Sequence, residues 1–381
     1  MKKLFIFIYA CLFTGVIFAI DFSNLNTAYW YDFEAPIRFT SRVVQRLDEV
    51  TVFISVTRSL PGSPETSLLL QASYLSTEER LLETFSLDTL HENGDQLMLN
   101  LTFKEVPEEL LVIVFNFSGS LYYFPIALKR GKLNHASFYP VDEQGLPIVT
   151  SYLNVSNVGF RTVIQEDTLC FFQYVDNFEP ADPPTGIAQS VSSTLLIDSV
   201  FCSQNSVDVS RNHFYFIQED TLSASGLTLF VGASYFPDLR LIDELVMPLT
   251  YFTSRTEINR IKGAADAQNQ FELFWLKIFN TPTLASAAIR NYYRGIKKAN
   301  ELFTDYKEGW KTDRGMLYTT FGLPNAVYHS NRKEIWVYGD LRFEFKIISN
   351  LFAPTMFVLV REKSYEKEWI KKITSLRSGQ L

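Results

Sequence analysis

Apolar residues alternate with polar ones through most of this chain, shift to a three-and-four spacing between Ile258 and Phe303, and then return to alternation. Side chains leave a strand with period 2 and a helix with period 3.6, so no single element carries both patterns. The chain must hold β-rich material, then helices, then strands again. The runs Val50–Val56, Leu68–Tyr74 and Leu97–Phe103 predict strands, as do Leu110–Phe117 and Leu121–Leu128 on either side of Ser118-Gly119-Ser120. Strands at this spacing, with Gly, Pro and Asn between them, predict a β-sandwich of immunoglobulin-like shape. Tyr29-Trp30-Tyr31-Asp32-Phe33 reads as the first strand packing on the sheet; a ligand platform is the competing reading.

A second β-rich stretch contains an internal echo. Ile164-Gln165-Glu166-Asp167-Thr168-Leu169 recurs unchanged as Ile217-Gln218-Glu219-Asp220-Thr221-Leu222. Asp and Thr side chains bond nearby backbone amides, so each copy predicts a turn whose Leu re-enters the core. A calcium loop needs alternating oxygen ligands and a glycine, which neither copy has. From Thr253 the pattern is helical. Ile258, Ile261, Ala265, Phe271, Phe274, Trp275 and Ile278 mark one face, with Gly263 a break; after Asn280-Thr281-Pro282-Thr283 a second helix carries Ala285, Ile289, Tyr292, Ile296, Ala299 and Phe303. Two antiparallel helices are expected. Met316–Phe321 then reads as a strand, Glu334–Tyr338 and Leu341–Phe345 as a hairpin turning at Gly339-Asp340, Met356–Val360 as a further strand, and Tyr365–Leu376 as an amphipathic helix.

The first nineteen residues have the layout of a secretory signal. Lys2 and Lys3 precede an apolar run from Leu4 to Phe18, and Ile17-Phe18-Ala19 suits cleavage before Ile20. Retention as an anchor and lipid attachment at Cys11 are weaker alternatives, because Tyr9 is too large for a lipoprotein site. Export predicts the periplasm or the outer membrane, with membrane association peripheral if any. In an oxidising compartment Cys170 and Cys202 either pair or sit apart as two small buried residues. With 33 Phe and 19 Tyr the chain is too apolar to be disordered. Residues 251–381 hold 21 Lys and Arg against 13 Asp and Glu, and the remainder 14 against 29. The basic part suits an anionic surface or acidic partner, or simply attracts the acidic part. Nucleic acid is disfavoured by export and by the lack of a dense Arg cluster.

One run is unusual in composition: Gly309-Trp310-Lys311-Thr312-Asp313-Arg314-Gly315, followed by Phe321-Gly322-Leu323-Pro324-Asn325. It resembles the motif of the GWxTD-domain family of exported bacterial envelope proteins. Phe274-Trp275, Tyr292-Tyr293-Arg294, Ala299-Asn300, Phe303 and Glu334-Ile335-Trp336-Val337-Tyr338 fall in the family's order, so the resemblance spans the last third of the chain. Trp275 continues as Leu276-Lys277-Ile278 where the family more often has an Arg-Asp-Pro-like charge pattern. The resemblance implies Bacteroidota-type export, and Asp88-Thr89-Leu90, Asp167-Thr168-Leu169, Asp198-Ser199-Val200 and Asp220-Thr221-Leu222 look like that group's O-glycosylation pattern. The expected architecture is multidomain and mainly β: a signal at 1–19, β-sandwich-like domains at 20–133 and 134–246, then a helix pair and an α+β GWxTD domain at 247–381.

Each motif residue has a structural use. Gly309, Gly315, Gly322 and Pro324 suit turns or close backbone approach. Trp310 locks a turn onto the helices, Thr312 caps, Asp313 accepts backbone amides, and Arg314 pairs with Asp313 or Glu334. Tyr318, Trp336 and Tyr338 line one sheet face. The competing reading makes Trp310, Thr312, Asp313, Arg314, Tyr318, Trp336 and Tyr338 the walls of a ligand or interaction site. No catalytic residue, metal or cofactor is assigned: His91, His135, His213 and His329 stand in no zinc-like spacing, and there is neither a nucleophile elbow nor a phosphate loop. Two functions fit: a non-enzymatic envelope protein that binds protein partners, or a glycan or peptide binder, or weak hydrolase, working through the motif.

Overall fold

The computed structural model describes residues 20–59, 65–76, 78–117, 119–129, 135–162, 168–186, 195–204, 206–353 and 355–378. The chain is mainly β, with several sheets and a C-terminal region that combines helices with a sheet. The expected signal, Cys11, Ser118 and the first echo from Ile164 to Asp167 lie outside the described residues.

The first eight strands are β1 (Ile37–Arg46), β2 (Glu49–Arg58), β3 (Glu65–Gln71), β4 (Glu79–Leu81), β5 (Ser86–Asn93), β6 (Gln96–Lys104), β7 (Leu110–Phe117) and β8 (Ser120–Ala127). They form two antiparallel sheets ordered β1-β2-β6-β5 and β4-β3-β7-β8. Alternation decides what each sheet buries. Val50, Val52, Ile54 and Val56 of β2 join Leu99, Leu101 and Phe103 of β6 and Leu111, Ile113 and Phe115 of β7 in one apolar cluster. The other face of β7 is covered too, because Val112 and Val114 pack with Leu69 and Phe22. Covering both faces explains why β7 reads as an unbroken apolar run.

The aromatic entry departs from the expected strand. Ala28–Tyr31 is a short 3-10 turn, because this segment bridges two parts of the molecule instead of pairing in a sheet. Tyr29 Oη and Trp30 Nε1 both donate to the Tyr123 carbonyl at 2.9 Å, while the Trp30 ring lies 4.5 Å from that of His329.

The middle of the chain supplies β9 (Phe138–Val141), β10 (Tyr152–Leu153), β11 (Asn157–Thr162), β12 (Leu169–Val175), β13 (Ser199–Ser203), β14 (Val207–Asp208), β15 (His213–Gln218) and β16 (Leu227–Val231). They make a five-stranded sheet, β10-β16-β15-β12-β13, and a three-stranded one, β14-β11-β9. Cys170 and Cys202 face each other across β12 and β13 and are joined by a disulfide. The second echo is a turn, with Asp220 Oδ1 accepting the Leu222 amide at 2.9 Å. Its leucine does not re-enter the core, however: Leu222 is exposed where Leu169, at the same place in the first copy, is buried in β12. Thr89, Thr168, Ser199 and Thr221, the hydroxyl residues of the four Asp-Ser/Thr triplets, are exposed.

The C-terminal region holds α1 (Ile242–Val246), α2 (Arg255–Lys262), α3 (Ala267–Phe279), α4 (Pro282–Phe303), α5 (Asp313–Phe321), the sheet β17 (Ala326–Ser330), β18 (Lys333–Tyr338), β19 (Leu341–Ile348), β20 (Met356–Leu359), and α6 (Glu366–Arg377). A capping box between Ser254 and Glu257 starts α2, and Gly263 ends it, so the first expected helix is two. Asn280, at φ 62°, stops α3, and Thr281 with Pro282 starts α4. Residues 316–321, expected as a strand, belong to helix α5. Met316, Leu317, Tyr318 and Thr320 are all buried, so the segment shows no polar face to set a period, and its tyrosine and threonines favour a strand only by propensity. The cap at Thr312 and packing against α4 and β20 override that propensity.

Candidate functional site

The site begins where α4 ends. Thr304 Oγ1 donates to the Asn300 carbonyl at 2.7 Å and accepts the Gly309 amide at 3.0 Å; Asn300 Oδ1 accepts the Trp310 amide at 3.1 Å. These bonds hold the turn 304–310 against the last turns of α4. Only glycine fits at two points. A Cβ on Gly309 would be driven into the Ala299 carbonyl, and one on Gly315 into the carbonyl of Gly309. Between them Trp310 is fully buried, and Tyr251 donates its hydroxyl to the Trp310 carbonyl at 3.2 Å. Thr312 Oγ1 donates to the Gly309 carbonyl at 2.7 Å and accepts the Gly315 amide at 3.0 Å, which caps α5. Asp313 Oδ1 lies 2.6 Å from Arg361 Nη2, while its Oδ2 accepts the Leu359 amide at 2.8 Å and Arg361 Nη1 at 3.3 Å. One seven-residue run therefore joins α4, α5 and β20.

A second polar cluster lies behind it. The Arg314 guanidinium sits 3.5 Å from the Phe357 ring centroid, with Nη1 3.3 Å from Tyr31 Oη and 3.8 Å from Glu334 Oε1. Glu334 is wholly buried, accepts Tyr31 Oη at 2.9 Å and Trp336 Nε1 at 2.6 Å, and faces His329 Nδ1 at 3.3 Å. His329 Nε2 in turn meets Thr27 Oγ1 at 2.8 Å. Hydroxyl, imidazole and carboxylate stand in the order of a nucleophilic triad. Thr27 is fully buried and its hydroxyl also donates to the Val327 carbonyl at 3.1 Å, so no substrate reaches it. Burial holds the His329 pKa below the usual imidazole value, which keeps the ring neutral. The cluster locks the N-terminal segment onto β17 and β18.

A cavity of 280 Å³ opens beside the corner, among Phe178, Tyr306, Lys307, Thr312, Arg314 and Phe357. Burial pushes the carboxyl of Asp305 up to about 6 and the ammonium of Lys307 down, since a buried site disfavours charge. Among the described residues no group of three metal-ligating side chains comes together.

Residues 213–378 match the family model of the GWxTD domain. This is a GWxTD domain-containing protein. Neither the curated proteins nor the solved structures contain a match to the chain. The GWxTD span opens at β15, so it takes in the last two strands of the five-stranded sheet as well as the helices.

Within the GWxTD domain the sequence candidates separate into two groups. Thr312, Asp313 and Arg314 line the cavity. Trp310 and Trp336 are enclosed by other side chains and offer no face to a ligand. Tyr318 donates its hydroxyl to the Tyr31 carbonyl at 2.9 Å, and Tyr338 to the Gly322 carbonyl at 2.8 Å. Gly322, at φ 82°, ends α5, and Pro324 is buried in the turn that follows. Arg314 stands with Glu334 and not with Asp313, whose partner is Arg361. Sequence reasoning missed Arg361, Asp305 and Lys307, and it placed Tyr31 in the aromatic entry and Asn300 in the family's order without the bonds they make here. Arg361 left a faint signal, a lone cation closing an apolar strand; Asp305 and Lys307 left none.

Proposed function

We propose that this chain is a non-enzymatic exported envelope protein whose GWxTD domain binds a partner protein in an assembly. The observation that carries this reading is apolar surface on the helices. Leu273 and Leu276, one turn apart on α3, are 47% and 36% exposed, and Leu284 at the start of α4 is 56% exposed. Leucines left out of a core this rich in apolar partners suit a protein contact. The excess of Lys and Arg in residues 251–381 favours an acidic rim on that partner.

Export is supported by the basic and apolar opening and by the Cys170–Cys202 disulfide, a bond that persists in oxidising compartments. No helix among the described residues is long and apolar enough to cross a membrane. A periplasmic or outer-membrane-associated, peripheral location fits these features. In this reading the two facing sheets of residues 20–133 form a sandwich-like unit, 134–246 a second β-rich unit, and 247–381 the helices with the α+β part.

The test is crosslinking in cells, comparing wild type with Leu273→Ser/Leu276→Ser. Specific protein neighbours lost in a variant of unchanged melting temperature support the proposal. Neighbours retained by the folded variant, or none above background for wild type, overturn it.

A further inference from the structure

The cavity beside the motif is lined by a buried lysine that no carboxylate reaches within ion-pair distance among the described residues. Lys307 is only 9% exposed, lines the cavity, and its ammonium makes no ion pair or hydrogen bond among the described residues. Its neighbour in the chain shows what a satisfied lysine looks like here. Lys311 is held by Asp176 at 3.0 Å and by Glu308 at 2.8 Å. The other charges around the cavity are mostly committed. Asp313 is taken by Arg361 and the Leu359 amide; Arg314 is stacked on Phe357 and turned toward Tyr31 and Glu334. Asp305 accepts the Lys307 backbone amide at 3.2 Å, and its side chain makes no ion pair among the described residues. The Tyr306 ring, its centroid 6.0 Å from Nζ, and the charge of Asp305 offset part of the cost of burying this ammonium, and an anion brought into contact with it offsets more.

The remaining walls narrow the kind of anion. Phe178, Tyr306 and Phe357 give the cavity an aromatic lining. Glu179 borders the same space, so a dianion such as phosphate meets more like charge there than a monoanion, which one lysine matches. Burial favours the protonated form of Asp305 up to about pH 6, and in that form its hydroxyl can donate to a carboxylate oxygen. A cavity of 280 Å³ suits a body of one ring or one branched chain.

We propose that this cavity binds a small monocarboxylate with an apolar body, its carboxylate on Lys307 and its body against Phe178 and Phe357. The inference is independent of the partner-binding reading, since it uses none of the exposed leucines.

Isothermal titration of the full chain at pH 6 with phenylacetate, phenethylamine and benzyl alcohol tests it. The expected result is saturable binding of phenylacetate, with the amine and the alcohol weaker by about tenfold or more. Lys307→Gln should weaken phenylacetate by about tenfold, with the alcohol unchanged. Leu195 also lines the cavity, so Leu195→Trp narrows it and should abolish binding, which keeps the test decisive if Lys307→Gln does not fold. No binding of phenylacetate, equal binding of the amine, or undiminished binding by either folded variant overturns the proposal.

Discussion

Two aspartates eight residues apart, Asp313 in the corner and Asp305 in the turn before it, are treated in opposite ways by the fold. Asp313 has an arginine fork and a backbone amide; Asp305 has one backbone amide from Lys307. The Thr312 hydroxyl and the Asp313 carboxylate are both answered, the first within the corner and the second by Arg361 and the Leu359 amide, although the Trp310 indole N–H is not; the turn 304–307 holds a carboxyl and an ammonium with no ion pair among the described residues. The difference separates what the motif is built for from what lies open beside it. Residues that give the family its name join α4, α5 and β20, and the chemistry left over belongs to neighbours that the motif does not include.

The comparison breaks first at the glycines. In Gly315→Ala the new methyl meets a backbone carbonyl on a helix already fixed by Thr312, and no flexible side chain can yield. The expected loss is more than about 4 kcal/mol, near the whole stability of a marginal domain. Urea unfolding followed by circular dichroism measures it, and a variant within about 1 kcal/mol of wild type would show that the corner does not require glycine there. Next comes Asp313→Ala. It leaves Arg361, whose side chain is 5% exposed, with backbone carbonyls of Asp182, Pro183 and Leu359 but no carboxylate against its charge, and should cost about 3–5 kcal/mol. A matched apolar pair, Asp313→Leu with Arg361→Met, should recover part of that loss, since removing both charges removes the stranded one. No recovery would mean that the Leu359 amide bond, and not the ion pair, carries the stabilisation.

How much of this was legible follows from where each partner sits in the sequence. β2, β3, β6, β7 and β8 show in the alternation because each buries one face, or both, against a neighbouring sheet. β1 and β5 do not, since Arg38, Thr40, Ser41 and Arg42 interrupt the first and the second is an exposed edge. The Gly339 hairpin and the helix stops at Gly263 and Asn280 are local, so their residue chemistry marks them. α5 is the opposite case: it is buried on too many sides to show a period, and it was read as a strand. In the site, the Thr312 cap spans three residues and is readable. Asp313 finds Arg361 across 48 residues and Arg314 finds Tyr31 across 283, and only the finished topology brings such pairs together.

The turn itself can be sharpened by pH. Asp305 has a folded pKa raised to about 6 from an ordinary value of 3.8. A raised carboxyl pKa means that the folded state holds the proton more tightly. Its contribution is fully present below the ordinary value and is lost as pH rises through about 6. Above that point the fold carries an ionised, partly buried carboxylate. Asp305→Asn removes that charge, so the variant should be more stable than wild type by about 1–2 kcal/mol at pH 7.5, with the gain vanishing near pH 4. Thermal unfolding across that range decides it; a gain independent of pH would assign the effect to packing instead.

The smallest effect tests whether close approach is special to the corner. Gly295 sits inside α4, and a Cβ there would come no nearer than 3.9 Å to the Thr319 carbonyl of α5. That is ordinary contact distance, on the same helix whose Ala299 carbonyl blocks a Cβ on Gly309. Glycine in a helix interior costs about 0.5–1 kcal/mol relative to alanine, because the unfolded chain loses more freedom. Gly295→Ala should therefore stabilise by about that amount, opposite in sign to Gly315→Ala. Destabilisation at both sites would place the constraint in the whole α4–α5 interface. Opposite signs would confine it to the few residues around Gly309, where the chain turns back on α4 closely enough to exclude a single methyl group.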